Sequence, residues 1–178
     1  MKRKITYKDL VLMNSYCRPE EIGIKSNYSA TIPKFIREYR DKIKNIEDII
    51  SLLCRKDYMT ERDIRLFAVW CAREALKLVD NPDPRSINVC NVAEKYAKGK
   101  ATKEELDTAA DAVDAAFWAA KYAGNTIKAG FYRAAWYAGD TTRTARDAAW
   151  VTSKTAAETE DVRIAKNAQI DKLLTYFE

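Results

Sequence analysis

Apolar residues recur every three to four positions along most of this chain, which is the spacing of one face of an α-helix. Within residues 61–78, Ile64, Phe67, Cys71 and Leu78 follow this spacing. The same pattern appears in short segments on both sides. No segment alternates between apolar and polar residues in the way that is typical of a half-buried β-strand. The pattern therefore predicts a helical protein without strands.

Residues that favour helix starts mark where several of these helices begin. Thr60 is placed to cap the segment that follows it. Asp83 is followed by Pro84, a pair typical of an N-cap and the first helical position. Thr102 and Glu105 have the spacing of a capping box. Glycines after these segments indicate short connections between helices.

The last predicted helix covers residues 159–177. Its periodicity indicates that Ile164, Ala168, Leu173 and Leu174 face the interior. We expect this face to pack against the helices that precede it.

Composition changes near residue 58. Residues 1–58 contain a single alanine, Ala30, whereas alanine is the commonest residue afterwards. Small residues let helix axes approach closely, and the tryptophans and tyrosines between them fill the remaining gaps. We therefore predict an all-α fold, a compact bundle of about seven or eight short alanine-rich helices. Residues 1–58 form an N-terminal basic helical extension and residues 59–178 the alanine- and aromatic-rich domain.

The overall composition, 47% hydrophobic and 32% charged, is that of a globular protein. The net charge of +5 lies in the first third, where residues 1–58 hold 13 Lys and Arg against 8 Asp and Glu. A basic arm of this kind attracts phosphates or an acidic partner, although it also serves solubility. No apolar run is long enough for a membrane helix or a secretion signal, so we expect a cytoplasmic protein without membrane contact.

The sequence contains no histidine, which removes the commonest general base and a common metal ligand. It also lacks the glycine-rich motifs that cradle phosphates. The four cysteines show no CxxC spacing and are expected to be free thiols. These are Cys17, Cys54, Cys71 and Cys90. We therefore expect a protein that is not an enzyme and needs neither a metal nor a cofactor.

Aromatic residues and arginines are the main candidates for partner contacts, because these types dominate binding energy at interfaces. Trp118, Tyr132, Arg133 and Trp136 lie in the alanine-rich helices, and two aromatic pairs, Trp118 with Tyr122 and Tyr132 with Trp136, have i, i+4 spacing. The same residue types can stack nucleic-acid bases and contact phosphates. For any single aromatic residue, packing in the core is the competing interpretation.

A second set of candidates combines charges with apolar neighbours: Asp63, Arg65, Trp70, Glu74, Asp83 and Arg85. Charges in such surroundings need partners when they are buried. They either form salt bridges that fix the register of neighbouring helices or line an exposed polar cleft for a partner.

The segment DIRLFAVWCAREALKL, followed by DPRSI and by a helix that ends in YAKGKATKEEL, resembles a family of predicted immunity proteins. Members of that family occur beside toxins in bacterial polymorphic toxin systems. The residues that match its pattern are Asp63, Arg65, Trp70, Glu74, Asp83 and Arg85, with Gly99 at the turn. The resemblance covers roughly residues 60–140 and implies an all-helical binding protein. It names no toxin.

Three functions follow as hypotheses. The first is a non-catalytic protein that binds and inhibits a protein target such as a toxin. The second is a phage-encoded antagonist of a host defence system, which binds a defence protein or sequesters a nucleotide signal. The third is a nucleic-acid-binding accessory protein that uses the basic N-terminus. Association between copies of the chain would also explain exposed aromatic residues.

Overall fold

The computed structural model describes residues 1–12, 18–43, 46–124, 126–139 and 162–178. This part of the chain forms eight α-helices, one short 3-10 helix and two strands. The helices are α1 (Tyr7–Val11), α2 (Ile32–Tyr39), α3 (Ile46–Leu53), α4 (Glu61–Leu76), α5 (Pro84–Ala97), α6 (Lys103–Tyr122), α7 (Thr126–Gly139) and α8 (Val162–Leu174). The strands are β1 (Lys4–Thr6) and β2 (Ser29–Thr31), and the 3-10 helix is Pro19–Ile22. The fold is all-α, as the sequence predicts.

The three helix starts predicted from capping residues are confirmed. The Thr60 hydroxyl accepts a hydrogen bond from the Asp63 N–H at the start of α4. Asp83 caps α5, in which Pro84 is the first residue. At the start of α6 the Thr102 hydroxyl accepts a hydrogen bond from the Glu105 N–H. The Glu105 carboxylate accepts one from the Thr102 N–H in return, which completes the capping box. These starts are fixed locally, because each cap satisfies backbone donors that the helix itself leaves unpaired.

A two-stranded antiparallel sheet contradicts the prediction of a protein without strands. Lys4 pairs with Thr31 and Thr6 pairs with Ser29 across β1 and β2. Each strand has only three residues, too few to show an alternating pattern in the sequence. The central residue of β1, Ile5, is fully buried and anchors the sheet to the core.

Two large groups of buried apolar residues organise the helices. The first draws on residues 5–59, on the N-terminal half of α4 and on α8, with Phe35, Phe67 and Ile170 among its fully buried members. The second joins α4 to α5, α6 and α7 through alanines and valines such as Val89. Helix α4 contributes to both groups. The division into domains at residue 58 stays a prediction.

Asp9 ties the N-terminal segment together. Its carboxylate accepts hydrogen bonds from the Thr6 N–H at 3.0 Å, the Thr6 hydroxyl at 2.6 Å and the Lys2 ammonium at 2.9 Å. Burial opposes ionisation of Asp9, but the hydrogen bonds from Lys2 and Thr6 outweigh it and hold its pKa at about 2. The carboxylate therefore stays charged and fixes the turn from β1 into α1.

Helix α8 packs with a different face from the one that its periodicity indicates. Ile164 is 65% exposed and Ala168 is also exposed, so their predicted inward orientation is wrong. Leu173 is fully buried, as predicted, and Leu174 is partly buried against the first core. The stretch 159–161 of the predicted helix lies outside the described residues.

Polar contacts also attach α8 to the N-terminal third. The Arg40 guanidinium donates to Asp171 at 2.7 Å and to the Asn167 side-chain oxygen at 2.9 Å. Gln169 is buried beside this contact face of α8. Apolar and polar contacts together thus join segments that lie more than 100 positions apart in the sequence.

The end of α7 lies close against α5 and α6. Gly139 is buried, and a Cβ atom built on it would lie 2.7 Å from Val89 Cγ2 and 3.1 Å from Ala110 Cβ. A glycine is therefore required for α7 to sit this close to α5 and α6. In the ranges described above, every helix is too short or too polar to span a lipid bilayer.

Candidate functional site

Helices α6 and α7 pack along each other and together carry a cluster of aromatic, cationic and acidic side chains. We call it the aromatic–cation surface. Its members are Asp114, Phe117, Trp118, Lys121, Tyr122, Arg133, Trp136 and Tyr137. The i, i+4 spacing within each helix brings the side chains to one side, and the packing of the two helices joins both sets.

Arg133 is the centre of this surface. Its Cζ lies 4.4 Å from the ring centroid of Trp136, 5.0 Å from that of Phe117 and 5.3 Å from that of Tyr137. One of its nitrogens lies 3.5 Å from an oxygen of Asp114. A guanidinium held by three rings and a carboxylate has few rotamers left, so Arg133 is already oriented in the free chain.

Trp118 extends the surface along α6. Its indole N–H donates to Asp114 at 3.0 Å, so one carboxylate orients both Trp118 and Arg133. Its ring stacks on Tyr122, with the centroids 5.8 Å apart, and the Lys121 ammonium lies 4.7 Å from its centroid. Trp118 is 39% exposed and Tyr122 82% exposed. Large apolar rings are thus offered to solvent in a fixed arrangement.

The predicted residues Asp83, Arg85 and Tyr132 form a separate group at the start of α5. The Asp83 carboxylate accepts two hydrogen bonds from the Arg85 guanidinium, at 2.9 and 2.7 Å, and one from the Arg85 N–H. The hydrogen bonds from Arg85 hold the pKa of Asp83 below its usual range. Tyr132 is buried on α7, and its hydroxyl oxygen accepts from the Asp83 N–H at 3.2 Å. This group links the start of α5 to α7.

The predicted residues on α4 do not come together as one cleft. Asp63 accepts a hydrogen bond from the Thr60 hydroxyl at the helix start. Arg65 is buried, and its guanidinium carbon lies 5.1 Å from the ring centroid of Tyr96 on α5. Asp63 therefore contributes to the start of α4, and Arg65 contributes to the contact between α4 and α5.

The other two α4 candidates face different surroundings. Trp70 stacks on Phe67, with the centroids 6.2 Å apart, and packs partly buried against the first core. Glu74 is half-buried and pairs with Lys77 at 2.6 Å. Their role as partner contacts stays a prediction.

Five members of the aromatic–cation surface were not among the predicted site residues. These are Asp114, Phe117, Lys121, Tyr122 and Tyr137. Asp114 lies four positions before Trp118, and Phe117 four positions before Lys121. This spacing was a usable signal, because residues four apart are neighbours on a helix.

The described cysteines behave as apolar residues. Burial raises the pKa of the Cys71 thiol well above its usual value and raises that of Cys90 to about 12. Both are therefore protonated at neutral pH. Cys17 lies outside the described residues. Where the chain is described, no group of three or more acidic or cysteine side chains is placed to hold a metal ion.

Two cavities open at the surface elsewhere. A groove of about 820 Å³ lies between β1, α1 and the loop after α3, and basic side chains dominate its lining. A smaller cavity of about 450 Å³ lies between α4 and α5 and is lined mainly by apolar side chains such as Leu76, Val79 and Ile87. Neither of these two cavities is lined by a tryptophan or a tyrosine.

Comparison with protein-family models, with curated proteins and with solved structures finds no match to this chain. The resemblance to immunity proteins therefore stays a prediction.

Proposed function

We propose that this chain is a non-catalytic binding protein that inhibits a protein target such as a toxin, and that it grips this target with the aromatic–cation surface. The observation that carries the proposal is the exposed stack of Trp118 on Tyr122 beside a fixed Arg133. Tryptophan, tyrosine and arginine are the residue types that contribute most to binding at protein interfaces.

The order already present in this surface supports tight binding. Association costs free energy whenever flexible side chains must be fixed at the interface, by about 0.5–1.5 kcal/mol for each rotamer-rich side chain. Arg133 is held by three rings and Asp114, and Trp118 is held by the same carboxylate. Most of that cost is therefore met within the folded chain before the partner arrives.

The surface suits a protein partner better than a nucleotide. Nucleotide sites are concave and enclose most of their ligand. The rings of Trp118 and Tyr122 are instead solvent-exposed on a helix, and the two cavities described above have no aromatic lining. A defence protein remains the alternative to a toxin as the target. Binding to either target would use the same exposed aromatic side chains.

Photocrosslinking in the native host tests the proposal. A crosslinking amino acid replaces Tyr122, and a matched control places it at Ile164, which is 65% exposed on α8. We expect one protein to be captured from position 122 and not from position 164. The captured protein, once purified, is expected to lose its own activity in a stoichiometric complex with the chain.

Affinity measurements then localise the contact. Trp118→Ala is expected to weaken the complex by about 30-fold or more, which corresponds to about 2 kcal/mol. Leu78→Ala, at a residue 55% exposed outside this surface, should leave the affinity unchanged. Capture of only a second copy of the chain, full activity of the captured protein in the complex, or equal effects of both variants would each overturn the proposal.

A further inference from the structure

The groove between β1, α1 and the loop after α3 has an uneven balance of charge. Five cations line it, against two carboxylates. The cations are Lys2, Arg3, Lys4, Lys8 and Arg55, and the carboxylates are Asp9 and Asp57.

Contacts inside the groove use up both carboxylates. Lys2 pairs with Asp9 at 2.9 Å and lies 3.9 Å from Asp57, which also pairs with Arg55 at 3.3 Å. Asp9 is in addition the third residue of α1, where its carboxylate completes a capping box with the N-cap residue Thr6. These two acids therefore serve the fold and leave no negative charge for the remaining cations.

Three cations remain without a counter-charge: Arg3, Lys4 and Lys8. All three are exposed, and no carboxylate in the described part of the chain lies within ion-pair distance of them. The backbone that carries them is fixed. Ile5, between them, is fully buried, and Asp9 fixes the turn that leads from β1 to Lys8. Cations that line one groove create a positive potential that attracts an anionic ligand.

Two backbone N–H groups next to the groove, those of Lys2 and Thr6, are not available to an extended peptide. The Lys2 N–H already donates to the Asp57 carbonyl at 2.6 Å, and the Thr6 N–H donates to Asp9. A peptide that adds to a sheet edge needs such donors to be free. The groove instead presents long, charged side chains, and its apolar lining includes Leu12, which is 61% exposed. Charged side chains of this kind suit a ligand that carries its charges on its outer surface.

We propose that this groove binds the phosphate backbone of a single-stranded nucleic acid, with Arg3, Lys4 and Lys8 as the phosphate contacts. Its volume of about 820 Å³ and its open form admit a passing strand rather than a single enclosed ligand. A lipid bilayer is flat on this scale and does not fill a groove. The site shares no residue with the aromatic–cation surface, so the two proposals stand or fall separately.

Fluorescence anisotropy with a labelled RNA of about 12 nucleotides tests the proposal, since single-stranded sites cover about 4–16 nucleotides. Three phosphate contacts predict a slope of about −2 in a plot of log K against log salt concentration. The triple variant Arg3→Gln, Lys4→Gln, Lys8→Gln should lose that slope, which at about 0.1 M salt corresponds to binding about 100-fold weaker.

The matched control removes the same charge elsewhere, with Arg62→Gln, Lys95→Gln and Lys100→Gln, all at exposed positions away from the groove. We expect this control to bind RNA within about threefold of the unchanged chain, because two variants with equal net charge differ only in the groove. Circular dichroism and thermal unfolding verify that both variants are folded.

Several results would overturn the proposal. They are an absence of RNA binding by the unchanged chain, equal losses in both variants, displacement of RNA by polyglutamate at matched charge concentration, and stronger binding to vesicles of anionic lipid than to RNA. The polyglutamate result would assign the groove to an acidic protein, and the vesicle result would assign it to a membrane surface.

Discussion

Replacing Gly139 with alanine tests how closely α7 approaches its neighbours. The added Cβ would lie 2.7 Å from Val89 Cγ2, whereas carbon atoms in ordinary contact lie about 3.5–4.0 Å apart. Val89 is fully buried, and its β-branched side chain has essentially one rotamer in a helix. Ala110 Cβ, 3.1 Å away, is fixed to its own backbone. The clash is therefore relieved only if a helix moves.

The expected cost follows from two opposing effects. Overpacking of a well-packed core costs about 1–3 kcal/mol. Alanine reduces the entropy of the unfolded chain, which returns about 0.4–1 kcal/mol. We expect Gly139→Ala to lower the free energy of unfolding by about 1–2 kcal/mol. In a chain of this length that loss lowers Tm by about 2–8 °C.

Urea unfolding followed by circular dichroism measures the loss, and a double-mutant cycle identifies its cause. Val89→Ala removes the methyl group that the new Cβ meets, so the effects of Val89→Ala and Gly139→Ala should not add. We expect the double variant to be more stable than the sum of the single effects by about 1 kcal/mol. Equal or higher stability of Gly139→Ala, or strict additivity in the cycle, would show that the helices are not in contact at this point.

Two further changes test buried polar groups. The pKa of Asp9, about 2, lies below its ordinary value of 3.8, so its ionised form contributes stability above about pH 4 that is lost as the pH falls through about 2. Asp9→Asn should therefore lower stability by about 2 kcal/mol at neutral pH and flatten the acid limb of an unfolding curve measured against pH; an unchanged limb would contradict the assigned hydrogen bonds. Ser86 is fully buried, and its hydroxyl has no hydrogen-bond partner among the described residues, so Ser86→Ala should raise the free energy of unfolding in urea by about 1 kcal/mol. A loss of stability in that variant would reveal a partner for the hydroxyl.

Local signals in the sequence were sufficient for much of the fold. The starts of α4, α5 and α6 depend on a capping residue and the few residues after it, so Thr60, Asp83 and Thr102 could be identified directly. The strands could not, because each has three residues and its pairing is decided by a partner about 25 positions away. The inward face of α8 could not be predicted from the sequence either. Ile164 and Ala168 share one helical face, but packing against the rest of the chain buries a different face.

The aromatic–cation surface was also predictable in part, because residue type is a local signal in the sequence. Trp118, Arg133 and Trp136 were found from residue type, and the structure places them in one cluster. The pairing of Asp114 with Trp118 follows from their spacing on one helix, but its contact with Arg133 depends on the packing of α6 against α7, which that spacing does not reveal. Tyr132 was chosen by type as well, but tertiary packing buries it beneath Asp83.

The attachment of α8 to the first core has a consequence for synthesis on the ribosome. Ile170 and Leu173 complete a core whose other members include Leu53, and α8 packs against α3. At about 5–20 residues per second, the ribosome needs roughly 6–23 s to make the intervening stretch. During that interval the nascent chain carries an unfinished apolar face. Chaperones that recognise exposed hydrophobic segments therefore have a long opportunity to bind the N-terminal third, and release from them depends on the synthesis of α8.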